Sequence, residues 1–396
     1  MNHRMAYVLL VVIAGCGASD GGTSSISAPS GGEQGTPSTV VDPCDPIDFD
    51  SAVESTVGVD MSRVGYLDRM VTYTPTVRSE SRTLPLHIWY PTDETTGKPS
   101  LYQTVFERPN IFADASVAVQ ADAPIMIFSH GRRGFGQYSF FLAEYFAARG
   151  WVVAAMDHVG DRLEDQETPN DIFSVRPQDI TATIDYLLEL TDDDPLGQLT
   201  GETVVVAGHS FGGYTTFAVA GAQYDTNYLD EACSANPDRD WCINYALANN
   251  GLADGFKDDR IDLIISMAPG NQNLFHDGMR AIEIPTLLVT AAVDLNNSDE
   301  EDGDPYWLNL KRGVNRRLSF STGGHFTFTN ICDSIFAFYG EGNGCGTEFI
   351  ETTQAYFIVN RFAEAFIQRH LFGLTEETGI LDCDGGFHPH VQVGKP

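Results

Sequence analysis

The sequence predicts an α/β fold with a mostly parallel central sheet, helices on both faces and a small disulfide-pinned insertion, and three observations carry that expectation. Segments at 124–129 (PIMIFS), 151–156 and 261–267 are near-continuous apolar runs, the pattern of strands covered on both faces. Helix-like segments lie between such runs, so strand and helix alternate as they do where helices wrap a parallel sheet. The strand-like run 203–207 also leads straight into Gly208-His209-Ser210-Phe211-Gly212-Gly213 and a helix of small residues. A chain of 396 residues with 42% hydrophobic side chains is enough for one large core with non-globular ends.

In chain order, 84–90 (LPLHIWY) alternates as an early strand and stops at Pro91. A helix at 137–149, closed by Gly150, leads to the buried strand 151–156. Pro177 suits the first position of a helix running to about 190, with Ile180, Ile184, Leu187 and Leu188 on one stripe. The small-residue helix after Ser210 runs to about 222, and strands follow at 261–267, 286–291 and 318–321. A last helix at 353–370 gathers Val359, Phe362, Ala363 and Phe366 on one face, with Ile358 and Ile367 at its edges. The stretch 223–260 is too long for a plain connection and reads as the insertion, placed where it can roof part of a pocket.

Both ends of the chain have their own logic. Arg4 and the short apolar run 6–14 form a targeting segment, and Ile13-Ala14-Gly15-Cys16 resembles a bacterial lipobox. The expected organisation is a signal peptide at 1–16 with Cys16 lipidated, a flexible Gly/Ser/Thr/Pro-rich tether at 17–45 and one folded domain at 46–396. That implies an exported protein tethered to the cell envelope, at the outer membrane or cell surface. Removing Cys16 from the seven cysteines leaves six, an even number suited to an oxidising compartment. Proximity favours Cys233 with Cys242 and Cys332 with Cys345, and elimination leaves Cys44 with Cys383.

Fifty-five acidic against 23 basic residues give a net charge of −32, which argues against nucleic acid or an anionic surface as partner. Asp299, Glu300, Glu301, Asp302 and Asp304 lack the alternating spacing of a calcium loop and read as a solvated acidic loop. The cysteine spacings form no paired Cys-x-x-Cys zinc pattern, so no metal is expected.

The chemistry centres on Ser210. A sharp turn from strand to helix thrusts a serine Oγ out at the top of the sheet and needs small neighbours, here Gly208 and Gly212. A serine needs a base to take its proton, and the base needs a carboxylate, in the chain order serine, acid, histidine. Asp294, just past the strand 286–291, fits the acid, with Asp299 as the alternative. His325, in a glycine-rich loop after a strand, fits the base; His276, His370 and His388 fall at poorer positions. Two backbone amides should face the oxyanion. Phe211 would supply one, and Arg132, or else Gly131, the other from the loop 129–134. His130 reads as a loop-holding residue and His158 as pocket-lining or structural. Phe135, Tyr138, Phe140 and Phe141 read either as acyl-pocket walls or as helix core.

Trp89-Tyr90-Pro91, Phe128-Ser129-His130-Gly131, the stretches 152–158 and 208–213, and the loops at Asp294 and His325 carry a resemblance spanning about residues 64–372. On these stretches the chain resembles the bacterial relatives of secreted platelet-activating-factor acetylhydrolase, an α/β-hydrolase branch close to dienelactone hydrolases and bacterial polyester hydrolases. The resemblance implies hydrolysis of short-chain or acetylated lipid-like carboxylic esters through an acyl-enzyme, without metal or organic cofactor. It places nucleophile, acid and base on Ser210, Asp294 and His325, and the oxyanion amides on Phe211 and Arg132. The insertion and the acidity depart from the family and bear on substrate more than on reaction. A polyester or cutin-type hydrolase is the alternative within the same chemistry, and a non-catalytic surface binding protein is the alternative outside it. A serine peptidase is a further reading, for which the sequence offers no amine-binding or propeller accessory domain.

Overall fold

Apolar runs that need cover on both faces become the middle of a single sheet. The computed structural model describes residues 42–49, 63–118, 122–169, 171–191, 193–239, 242–243, 245–246, 251–310, 313–333, 342–375 and 378–395. The expected signal segment, Cys16 and the tether up to residue 41 lie outside them. Among the described residues eleven strands form the sheet. They are β1 (Val64–Tyr73), β2 (Arg82–Pro91), β3 (Pro99–Tyr102), β4 (Phe106–Ala113), β5 (Ala123–Ser129), β6 (Val152–Met156), β7 (Thr200–His209), β8 (Ile261–Met267), β9 (Thr286–Ala291), β10 (Arg316–Phe320) and β11 (Val391–Gly394). The α-helices are α1 (Phe140–Ala147), α2 (Ile172–Leu188), α3 (Phe211–Val219), α4 (Thr226–Ala235), α5 (Asp304–Asn309) and α6 (Thr352–Leu371).

The strand order is β11-β10-β9-β8-β7-β5-β6-β2-β1-β4-β3. From β6 to β10 all neighbours are parallel, while β2 joins β6, β1 joins β2 and β11 joins β10 antiparallel. The chain leaves β5 toward β6 on one side and returns to β7 on the other. The carboxyl ends of β5 and β7 therefore face the point where strand order reverses, the place such sheets use for ligands. Gly208 lies opposite Ser129 in that pair, so the loops after both strands start side by side.

Alternation along the central strands sends side chains to both faces. Met126, Phe128, Val205 and Ala207 join α1 and α6 in one core, and Ile125, Ile127, Val204 and Val206 join α2 and α3 in the other. Phe135, Tyr138, Phe140 and Phe141 belong to the first core and are at most 8% exposed. The alternative reading of that aromatic run, as core, is the one the packing supports.

Several boundaries differ from expectation for physical reasons. The helix expected at 137–149 opens as a 3-10 turn over Gly136–Ser139 before α1 begins. Pro177 sits inside α2, which starts at Ile172. Proline cannot donate to the carbonyl four residues back, and the Tyr214 hydroxyl donates to that Phe173 carbonyl instead, at 3.2 Å. The missing bond is thus replaced from α3, and the helix continues through the proline.

All three expected disulfides are present, Cys44–Cys383, Cys233–Cys242 and Cys332–Cys345. The insertion holds α4, capped by the Asp225 side chain on the Tyr228 amide at 3.0 Å. Its described contacts run to Tyr214 from Tyr224 at 2.6 Å, to Gly278 from Gln223 and to His276 by stacking of Tyr228. Among the described residues it flanks α3 and makes no hydrogen bond or ring contact with Ser210. The acidic loop closes on Arg317, which pairs with Asp299 at 2.7 Å and Asp304 at 2.6 Å.

Candidate active site

Ser210 occupies the single residue between β7 and α3, with φ 57° and ψ −118°. A non-glycine residue there carries backbone strain on the order of 1–3 kcal/mol and persists only where its surroundings fix it. Its own amide donates to the Met267 carbonyl at 2.9 Å, and its carbonyl accepts the Tyr214 amide at 3.1 Å. The flanking glycines are a packing necessity. A Cβ on Gly208 would strike the Gly212 carbonyl, and one on Gly212 would strike the carbonyls of Ser129 and His130. The β5 loop therefore lies directly against the start of α3.

His325 stands in the loop after β10, with Nε2 2.9 Å from Ser210 Oγ. Its Nδ1–H donates to Asp294 Oδ2 at 2.7 Å. The other carboxylate oxygen, Oδ1, accepts the amides of Asn296 and Asn297 at 2.7 and 2.8 Å. His325 and Asp294 are 3% and 4% exposed, whereas Ser210 is partly open. Three hydrogen bonds, two on Oδ1 and one on Oδ2, hold the carboxylate and so fix the imidazole's orientation. Asp299, the alternative acid, is held by Arg317 instead. His276 stacks on Tyr228, His370 lies against Phe366, and His388 reaches Gln354 at 3.3 Å; none of them bonds to Ser210.

The loop 129–134 faces Ser210 from the β5 side: a Cβ on Gly131 would be 3.2 Å from Ser210 Cβ. Among the described residues, no acceptor takes the amides of Phe211 or Arg132. The Arg132 guanidinium is half exposed and lies 5.3 Å from the Phe211 ring centroid. His130 is fully buried; its Nε2 accepts the His158 amide at 3.0 Å, so its Nδ1–H donates to the Gly131 carbonyl at 2.6 Å. His130 therefore holds the loop. Burial first, then the charge of Arg176, holds His130 and His158 well below the usual histidine range and thus neutral.

Beneath this loop lies a buried charge network that the sequence reading missed. Arg176, fully buried, donates to Asp161 Oδ2 at 3.0 Å, to Ser129 Oγ at 3.3 Å and to the His130 carbonyl. Asp161 Oδ1 accepts the Arg133 amide at 3.3 Å, and the Arg176 guanidinium sits 4.7 Å from the Phe211 ring centroid. His158 bridges Ser129 Oγ at 2.9 Å and Asp179 at 2.8 Å, and Asp179 also accepts Arg82 and Tyr73. Burial pulls Arg176 down to about 10 and raises Asp161, each opposed by the other's charge. A helix expected to begin at Pro177 leaves Arg176 outside it, whereas α2 starts at Ile172 and carries Arg176 on its buried side. His209 was missed as well: it is fully buried and donates from Nε2 to the His325 carbonyl at 2.8 Å.

No group of three or more His, Cys, Asp or Glu side chains that could hold a metal occurs among the described residues. No protein-family model matches the sequence, and no curated protein matches it. Among solved structures 599 chains match, so the architecture is a common one. One of them is a ferulic acid esterase from Streptomyces cinnamoneus, at 20% identity and a TM-score of 0.57 over 84% of this chain and 96% of that one. At that identity the likeness is one of fold, and with the strand order and the elbow at Ser210 it makes this chain an α/β-hydrolase fold.

Proposed function

We propose that this protein is a serine carboxylic-ester hydrolase that acts through an acyl-enzyme on short-chain or acetylated lipid-like esters. The observation that carries the reading is the unbroken hydrogen-bond chain from Ser210 Oγ through His325 to Asp294 at 2.9 and 2.7 Å, seated on a strained elbow. Ser210 Oγ attacks the ester carbonyl carbon as His325 Nε2 takes its proton, and Asp294 stabilises the imidazolium. The amides of Phe211 and Arg132 receive the oxyanion. The alcohol leaves with the proton held by His325, and a water activated by the same imidazole releases the acid and restores Ser210. No metal or organic cofactor enters this cycle. The fold neighbour is by name an ester-cleaving enzyme, which agrees in reaction class.

Three disulfides fit an oxidising compartment, in keeping with export and a tether on lipidated Cys16. Cys16→Ala should leave the membrane fraction with unchanged specific activity; its retention there would exclude this anchor.

The reaction is tested by fluorophosphonate labelling and by turnover of esters from acetyl to palmitoyl on one alcohol. Ser210→Ala and His325→Ala should each lose on the order of 10⁴–10⁶ in kcat, and Asp294→Asn less. A labelled Ser210 with turnover falling as the acyl chain lengthens supports the reading. Feruloyl or polymer esters outrunning acetyl ones would replace the substrate class, and an unlabelled, inactive parent would leave a binding protein.

A further inference from the structure

Asn343 lies far from Ser210 in sequence yet touches both loops that present the other two side chains. Its Oδ1 accepts two backbone amides, that of His325 at 3.1 Å and that of Leu295, next to Asp294, at 3.0 Å. Two backbone donors on one atom leave no choice about which end of the amide is oxygen. Its Nδ2 donates to Asn296 Oδ1 at 3.0 Å, and its own carbonyl accepts the Phe326 amide at 2.9 Å. The side chain is thus a bracket between the base loop and the acid loop, 8% exposed. Packing leaves it no slack: a Cβ on Gly324 would strike the Asn343 carbonyl carbon and the Gly344 amide. Two residues on, Cys345 is bonded to Cys332, which lies in the turn just after the base loop.

We propose that Asn343 is a positioning residue that sets the spacing of the Asp294–His325 pair, and that the Cys332–Cys345 bridge keeps it seated, making turnover sensitive to reduction. This rests on the reading of Ser210, His325 and Asp294 as a triad. A displacement of about 1 Å in a reacting group can cost on the order of 10²-fold in rate, so losing the bracket lowers kcat and leaves substrate affinity nearly untouched.

The test compares the parent with Asn343→Leu and Asn343→Asp as folded proteins, using an acetyl ester and counting reactive sites with a fluorophosphonate. Asn343→Leu keeps the size and loses the acceptor; kcat per reactive site falls about 10–100-fold with KM within about twofold. Asn343→Asp keeps the acceptor and recovers a large part of that loss. A packing role alone predicts parent kcat for the leucine variant and no advantage for the aspartate, and that result overturns the proposal. If Asn343→Leu does not fold, the parent is treated with a phosphine and kcat is scored against alkylation of Cys332 and Cys345. A fall in step with those two thiols supports the bracket, and indifference to them overturns it. Ser210→Ala that still turns over would sink the triad reading itself. Parent kcat in Asn343→Leu beside an inert Ser210→Ala sinks only this inference.

Discussion

On one side of Ser210 the loop 129–134 rests on buried ions; on the other, the loop carrying His325 rests on neutral hydrogen bonds beside a disulfide. The two supports have different energetics. Taking Arg176 and Asp161 out of water is costly and is offset only while each keeps the other and its remaining partners. Neutral bonds such as those of Asn343 contribute about 1 kcal/mol each, so their value lies in geometry. The ionic side should therefore fail as a loss of folding stability, and the covalently braced side as a loss of rate in a protein that remains folded.

The largest expected effect tests the ionic side. Arg176→Met strands Asp161 in the interior and should cost about 3–5 kcal/mol in urea unfolding, while Arg176→Met with Asp161→Asn recovers most of it. Equal stabilities of the single variant and the parent would break the contrast.

A smaller effect, graded by pH, comes from His87. Burial alone would push this histidine down, but the carboxylates of Asp157, 3.4 Å from Nε2, and Asp68, 2.7 Å from Nδ1, carry it up to about 9 from an ordinary 6.5. Asp157 in turn accepts the Gly136 amide at 2.6 Å, just beyond the β5 loop. The folded state holds this proton more tightly than the unfolded state, so the stabilisation is full below about 6.5 and fades as pH rises through about 9. His87→Gln should trail the parent by roughly 2–3 kcal/mol at pH 6 and match it near pH 10. A gap that widens toward high pH would show that the imidazole is not carrying charge.

The smallest effect sharpens the choice of acid. Asp299→Asn removes one of the two carboxylates on Arg317, a partly exposed pair worth about 1 kcal/mol or less. It should leave kcat within about twofold; a dead Asp299→Asn protein would move the acid role there.

What could be read from the sequence divides along the same physical lines. β8 and β9 run from Ile261 to Met267 and from Thr286 to Ala291, the limits their apolar patterns marked. Strands covered on both faces announce themselves residue by residue. β1 carries Asp68, Arg69 and an exposed Met70, and β3, β4 and β11 are short or at the margin, so their existence depends on partners that the sequence does not reveal. The cysteine pairs were accessible because two of them close short loops and the third followed by elimination.

In the site, Ser210, Asp294 and His325 each sit just past a strand end with a local signature, and the fold brings those three positions together. Arg176, His209 and Asn343 carry no such mark. Arg176 acts on a loop 46 residues earlier, and Asn343 on an amide 48 residues earlier. Their meaning arises only when α2 begins before its proline and when the chain beyond His325 folds back on itself.

The Cys44–Cys383 bridge joins positions 339 residues apart and so turns nearly the whole domain into a closed ring. A protease that cuts once in any loop of that ring severs the backbone without parting the pieces. Both fragments remain joined to whatever precedes Cys44, and an electrophoresis gel should separate them only after reduction. Under the proposed tether at Cys16, a nick would then become a wound that does not release the molecule.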